Sequence, residues 1–189
     1  MQIDPDDPID LPPSYHGGEL LLASPALRDP NFSRSVVYLT EHDSEGAHGI
    51  VLNLPIDSTA SALLPHFAGT QLGDIPVFRG GPVGVDKLMF AKITWTQEDR
   101  SLLVETHLSP EAAADSIANG QDVRAFIGSA GWSAGQLDEE LTESAWFVQS
   151  PDFGINDVDP SHELWRVLMT RRGPAYELMT LMPQRPELN

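Results

Sequence analysis

The chain has 189 residues, with 28 acidic side chains against 11 basic ones and a formal net charge of −17. Nucleic-acid binding draws most of its affinity from Lys and Arg set against phosphates, so this balance argues against a DNA or RNA footprint. There is no cysteine, which excludes disulfides, thiolate metal sites and a thiol nucleophile, while the length suits a single domain with a sizeable core.

Residues 1–16 read as an acidic, proline-rich tail. Asp4, Asp6, Asp7 and Asp10 alternate with Pro5, Pro8, Pro12 and Pro13, a composition that buries too little to offset its ordering entropy. The stretch lacks the basic and apolar regions of a secretory signal. No apolar run approaches the ~20 residues of a spanning helix. A cytoplasmic location without a membrane partner is the expectation.

Residues 17–183 read as one domain, with 184–189 as a C-terminal tail. Glu19–Ala23 opens it as a strand. Pro25 and Pro30 mark Ser24–Ser33 as a connection. Ser35–Glu41, rich in Val, Tyr and Thr, is a second strand, and Gly49–Leu54 a third, joined through a turn at Asp43–Gly46. Ser58–Phe67 carries Leu63, Leu64 and Phe67 at helical spacing. Pro76–Phe78 is a short strand ahead of Arg79-Gly80-Gly81-Pro82. Lys87–Thr94 and Ser101–Leu108 are two paired strands. Ser109-Pro110-Glu111 starts a helix that Asn119-Gly120 ends. Val123–Ile127 is a buried strand. Ser133 and Gln136 fit a capping box opening a helix through Leu141. Ala145–Gln149 is a strand, Ser161–Arg172 a helix stopped by Gly173-Pro174, and Tyr176–Met182 a last helical turn or two. Arg166, Arg171 and Arg172 complement the carbonyl end of the Ser161–Arg172 helix. Hairpins mixed with strand–helix–strand units imply an α+β class with a mixed sheet.

Four segments carry a family likeness: ASPALRDPNFSRSV from Ala23 to Val36, GAHGIVLN from Gly46 to Asn53, RGGPV from Arg79 to Val83, and AGWSAGQLDEEL from Ala130 to Leu141. In this order and spacing they resemble the bacterial YqgE/AlgH family over roughly residues 17–172. The resemblance implies a single α+β domain whose mixed sheet curls into a bifurcated pseudo-barrel with flanking helices. It also implies a label of transcriptional regulator that rests on genetic association. It carries over no catalytic residue and no cofactor. The family-matching polar positions are Asp29, Ser35, His42, Asn53, Gln136 and Glu140. His48 departs from the family pattern, as does Gly128-Ser129.

These positions invite three chemical readings. Ser35, His42 and Asp29 supply the residue types of a nucleophilic triad, but no Gly-x-Ser-x-Gly elbow surrounds a serine. Glu41, His42, Asp43, Glu45 and His48 gather on one turn with divalent-metal donor types, against the plainer reading of a solvated acidic turn. The glycines around Trp132 read as a turn between a strand and a helix, the topology of a phosphate cradle. They lack a P-loop lysine, and Asp138, Glu139 and Glu140 would repel an anion. Tight backbone packing is the simpler account there and at Gly80-Gly81.

The expected function is therefore a non-enzymatic regulator or adaptor that binds a protein or small ligand, without direct nucleic-acid binding, metal or cofactor. The alternative is a small hydrolase or metal-dependent enzyme using the first hairpin. The candidate groove comprises Asp29, Ser35, His42, Asn53, Gly80, Gly81, Trp132, Gln136 and Glu140.

Overall fold

A computed structural model describes residues 15–96, 101–151, 155 and 159–182. The acidic segment 1–14 and the whole of the C-terminal tail, 184–189, lie outside the described residues. Tyr15 and His16, at the end of the expected tail, are described.

Among the described residues, nine strands and five α-helices appear in the order β1 (Leu20–Ala23), β2 (Val36–Asp43), β3 (Gly46–Val51), β4 (Pro55–Thr59), α1 (Ala60–Leu63), β5 (Pro76–Arg79), β6 (Val83–Thr96), β7 (Ser101–Leu108), α2 (Pro110–Ala118), β8 (Asp122–Ser133), α3 (Gln136–Thr142), β9 (Trp146–Gln149), α4 (His162–Arg171) and α5 (Pro174–Thr180). The strands join one mixed sheet in the order β4-β5-β8-β3-β2-β1-β9, with β6 and β7 continuing from β8. It curls into a half-barrel of α+β class, as the family likeness implied.

β8 makes the bifurcation. Its first half pairs with β5 in parallel and its second half with β3 in antiparallel, on one and the same edge. β6 occupies the other edge. The two partners diverge at Gly128, whose φ of +70° only glycine adopts readily. A Cβ at Gly80 would come 2.3 Å from the Gly128 carbonyl oxygen, and one at Gly81 2.2 Å from the Ser129 carbonyl. Backbone crossing backbone thus accounts for the glycines of the third family segment, and in the second a Cβ at Gly46 or Gly49 would come 2.3 Å from the Trp132 carbonyl oxygen or 2.7 Å from that of Tyr38.

Three cores follow. Leu20, Leu22, Val36, Tyr38, Ile50 and Phe126 bury one face of the sheet against Leu164, Trp165 and Leu168 of α4. Leu21, Ala23, Val37, Leu39, Ala47 and Ala130 bury the other against Leu137 of α3. Both faces of β1 and β2 are therefore covered, which is why those strands read as continuous apolar runs. A third core gathers Val77, Phe90 and Ala125 with Phe67, Leu72 and Ala113.

Several expectations are corrected. The third strand begins at Gly46, three residues early, because the turn itself is paired, Asp43 facing Gly46 and Gly46 facing Ser133. Much of the expected Ser58–Phe67 helix is otherwise disposed. Residues 55–59 form edge strand β4 against β5, and only Ala60–Leu63 is helical before a 3-10 turn at Pro65–Phe67. The buried strand near residue 125 runs on to Ser133, through the glycines expected to form a turn. Helix α3 is capped by Gly135 in the left-handed region. Only half of the expected capping box exists, the Gln136 carbonyl oxygen accepting from the Ser133 N–H at 3.1 Å. The other helix starts hold: Ser109 Oγ accepts from Ala112 N–H, and Ser161 Oγ from Glu163 N–H.

Candidate functional site

One rung of the sheet links three strands: His42 faces Ala47, and Ala47 faces Trp132. Directly paired residues share a sheet face, so His42 and Trp132 lie on the same side, beneath α3. A β-bulge makes this so. The register shifts between Leu39 and Glu41, so that one extra residue lets His42, rather than Glu41, follow Leu39 on the buried face.

Around Trp132 the polar groups bind one another. Glu140, projecting from α3, accepts the Trp132 indole N–H at 2.9 Å and the Trp146 indole N–H at 2.6 Å on the same oxygen, Oε2. Its Oε1 accepts the Gln136 amide at 2.9 Å, and the Gln136 carbonyl oxygen accepts the Ser133 hydroxyl at 3.1 Å. Phe32, from the β1–β2 connection, stacks on Trp132 at 6.1 Å and meets Trp146 edge-on at 5.4 Å. Both indoles are buried. A buried tryptophan needs an acceptor for its N–H, and one carboxylate here serves two.

His42 is buried beside this cluster. Its Nδ1 accepts the backbone N–H of His16 at 3.2 Å, which puts the proton of the neutral ring on Nε2. That atom faces Asp138 Oδ1 at 3.7 Å, an electrostatic approach rather than a hydrogen bond. The His16 ring stacks on His42 at 5.7 Å and Tyr15 meets it edge-on at 5.5 Å.

The remaining candidates stand apart. Asn53 is fully buried, its Oδ1 accepting the Val36 N–H at 2.7 Å while its Nδ2 donates to the carbonyls of Arg34 and Ser161. Asp29 is exposed and holds a turn, accepting from both the backbone and the side-chain amide of Asn31. Ser35 is buried, and its Oγ makes no hydrogen bond. The three triad types thus do not bond to one another. On the acidic turn, strand alternation sends Glu41 and His48 to the face opposite His42, and Asp43 Oδ1 closes the turn on the Glu45 N–H. Among the described residues no cluster of three or more His, Asp or Glu is arranged around a metal position.

Sequence reasoning missed Trp146, His16 and a depression at the third core's open end. For Trp146 a signal was present, since two tryptophans flank a short acidic helix and each needs an N–H acceptor. The depression has a volume of about 400 Å³ and is lined by Ile56, Arg79, Pro82, Val85 and Ile127, with Asn31 and the Gly81 backbone. Among the described residues no helix is long and apolar enough to cross a membrane.

Comparison with known proteins agrees with this architecture. Residues 20–177 match the model of a family described as AlgH-like. A UPF0301 protein of Streptomyces avermitilis is 35% identical over 185 residues, covering 91% of this chain and 94% of the relative. One from Thioalkalivibrio sulfidiphilus is 34% identical over 171 residues, covering 86% and 92%. The solution structure of the AlgH protein from Pseudomonas aeruginosa superposes with a TM-score of 0.66 at 29% identity, covering 90% of this chain and 96% of that one. A crystal structure from Corynebacterium diphtheriae shares the fold at a TM-score of 0.66 and 21% identity, covering 90% and 94%. The family segments are also the ones that set the Trp132 cluster and the crossing at Gly80-Gly81, and this chain belongs to the AlgH-like family.

Proposed function

We propose that this protein works by binding rather than by turnover, as a cytoplasmic regulator or adaptor that engages a protein or small ligand without touching DNA directly. The observation that carries this reading is the Glu140 carboxylate. It is the one family-matched acid near the aromatic cluster, and both of its oxygens are taken by Trp132, Trp146 and Gln136. A general base must be free to reach the proton it removes, whereas this carboxylate holds two indoles in place. A hydrolase would need Ser35, His42 and Asp29 to engage one another, whereas His42 holds the His16 N–H, Asp29 holds Asn31, and the buried Ser35 hydroxyl makes no hydrogen bond. The charge of −17 supports the exclusion of direct nucleic-acid binding.

The test combines turnover with ligand screening. Purified protein is assayed on p-nitrophenyl acetate and bis(p-nitrophenyl) phosphate, with and without Mg²⁺, Mn²⁺ or Zn²⁺. It is then screened by thermal shift against metals, nucleotides, metabolites and peptides. The expected result is stabilisation by a ligand without hydrolysis. Hydrolysis that disappears in Ser35→Ala or His42→Ala overturns the reading. Sub-micromolar, salt-sensitive binding to a random duplex at physiological ionic strength overturns the DNA exclusion.

A further inference from the structure

The depression beside Arg79 combines features that point to a ligand class. Along β5 and β8, successive same-face rungs are Val77 with Ala125 and then Arg79 with Ile127. The first rung is fully buried in the third core, and the second opens to solvent. The apolar face therefore does not end at the core but continues into an open concavity walled by Ile56, Pro82, Val85 and Ile127. Val85 is 59% exposed. It sits where β6 leaves its register with β8 between Val83 and Leu88, so no neighbouring strand covers it.

A guanidinium lies in this apolar surround. Most other cations of the described residues are engaged: Lys92 with Glu105, Arg124 with Asp122, Arg166 with Glu163, and Arg34 and Arg172 with backbone carbonyls, while Arg28 and Lys87 stand exposed. The Arg79 backbone N–H donates to the Leu54 carbonyl, but its side chain makes no ion pair or hydrogen bond among the described residues, although the chain carries 28 acids. Beside it stands Asn31, whose amide is fixed by Asp29 at 3.0 Å. Two of the family segments, the one ending at Val36 and the one from Arg79 to Val83, thus meet at this concavity. An exposed arginine side chain left without a partner beside an apolar wall is suited to a carboxylate, which it can hold through two parallel N–H donors. The volume falls within the ordinary range of small-ligand sites.

We propose that this depression binds an aliphatic carboxylate, with the anionic head on Arg79 and a branched apolar body against Ile56, Val85 and Ile127. The head and body can come from a free short-chain acid or from the last residue of a polypeptide, and both present the same chemistry. The proposal rests on the binding reading above only in naming what is bound.

The experiment is a titration of ¹⁵N-labelled full-length protein followed by amide chemical shifts. The probes are isovalerate, the peptide acetyl-Ala-Val-Leu with a free carboxylate, and the same peptide as its C-terminal amide. The expected result is saturable shifts at Gly81, Val85 and Ile127 with a carboxylate probe. Arg79→Gln should weaken that binding at least tenfold, and the amide peptide should bind at least tenfold more weakly than the acid. Arg79 is exposed and Val85 projects to solvent, so Val85→Asp serves as a second variant with the same expected loss. Tighter binding of the peptide acid identifies a chain terminus as the source, and tighter binding of isovalerate a free acid. Either result upholds the site. Equal binding of acid and amide peptides, or no shifts at these residues with any probe, overturns the proposal while leaving the binding reading to its own assay. Conversely, ester or phosphodiester hydrolysis would defeat the binding reading without bearing on the carboxylate site.

Discussion

Replacing Glu140 by alanine is the most direct way to learn what the Trp132 cluster contributes. The substitution removes the acceptor of two indole N–H groups, on Trp132 and Trp146, which are 6% and 3% exposed. Each buried donor left without a partner costs about 1–3 kcal/mol. The Gln136 amide is exposed and returns to water at little cost. Because Glu140 is itself half-buried, water entering the vacated space recovers part of the loss, and the net penalty works out at roughly 2–4 kcal/mol. For a domain of this length each kcal/mol moves the midpoint by roughly 2–4 °C, so Tm should fall by about 4–16 °C. Glu140→Gln keeps an oxygen in place but loses the charge assistance, and should cost about 1–2 kcal/mol. Glu139→Ala is the control: the residue is exposed on the same helix, and its loss should cost under about 1 kcal/mol. Thermal melts by circular dichroism and urea titrations read all three. If Glu140→Ala and Glu139→Ala melt within a degree or two of each other, the indole bonds contribute nothing and the structural role assigned to Glu140 is wrong.

Asn53→Ala should destabilise by about 2–4 kcal/mol in urea titration, because three backbone groups lose their buried partner. Asn53→Asp should not rescue it, since the new oxygen faces the Arg34 and Ser161 carbonyls, and a wild-type midpoint in either variant contradicts the assignment. Gly81→Ala should cost at least about 3 kcal/mol, given a φ of +151° and a Cβ 2.2 Å from the Ser129 carbonyl. Gly135→Ala, also at positive φ but with open space around it, should cost only about 1–2 kcal/mol, and equal losses at the two sites would argue against the close crossing. Tyr38 donates its hydroxyl to the Leu102 carbonyl at 2.9 Å. Burial raises its pKa above the usual 10.0, with the Val104 backbone N–H acting more weakly in the opposite sense. A raised folded-state value means a contribution fully present below pH 10 and lost as pH climbs through the folded pKa. Stability measured across pH 8–11 should therefore fall more steeply in wild type than in Tyr38→Phe, and parallel curves would remove the basis for the assignment.

Much of the fold was legible because its signals are local. Ser109-Pro110 and Asn119-Gly120 bracket α2 through cap chemistry that the neighbouring residues complete. Strand β7 runs over the expected Ser101–Leu108 and pairs with β6. What the sequence did not show depends on distant partners. β4 carries Pro55 and Asp57, poor strand formers, and is extended only because β5 offers it an edge. The glycines of 128–135 read as a turn because glycine is common there. In the structure Gly128 and Gly131 belong to β8, and at Gly128 the missing Cβ admits the crossing of Gly81. At the candidate site, Trp132, Gln136 and Glu140 share one helix–strand corner and come together through short separations. Asp29 and Asn53 matched the same family pattern for a different reason: Asp29 closes a local turn on Asn31, and Asn53 ties the backbone at Arg34 and Val36 to the distant Ser161 carbonyl. The bulge that turns His42 inward is invisible to a period-two count, because it is the count itself that the bulge breaks.

The sharing of β8 among β3, β5 and β6 has a consequence for how the chain is made. During synthesis β1 to β5 emerge first, yet β3 and β5 must wait for residues 122–133 before their second edges are filled. β1 waits longer still, for residues 146–149. Until then the nascent chain exposes apolar strand edges, the state most prone to pairing with another copy. Folding should therefore be a late, largely post-release event governed by contacts far apart in sequence, and slow for a domain of this size. Ribosome-bound lengths ending before residue 133 should remain sensitive to protease, and those extended well past residue 149 should become resistant in a single step. Once closed, β8 should hold the slowest-exchanging amides in the molecule, since freeing them means parting both halves of the sheet at once.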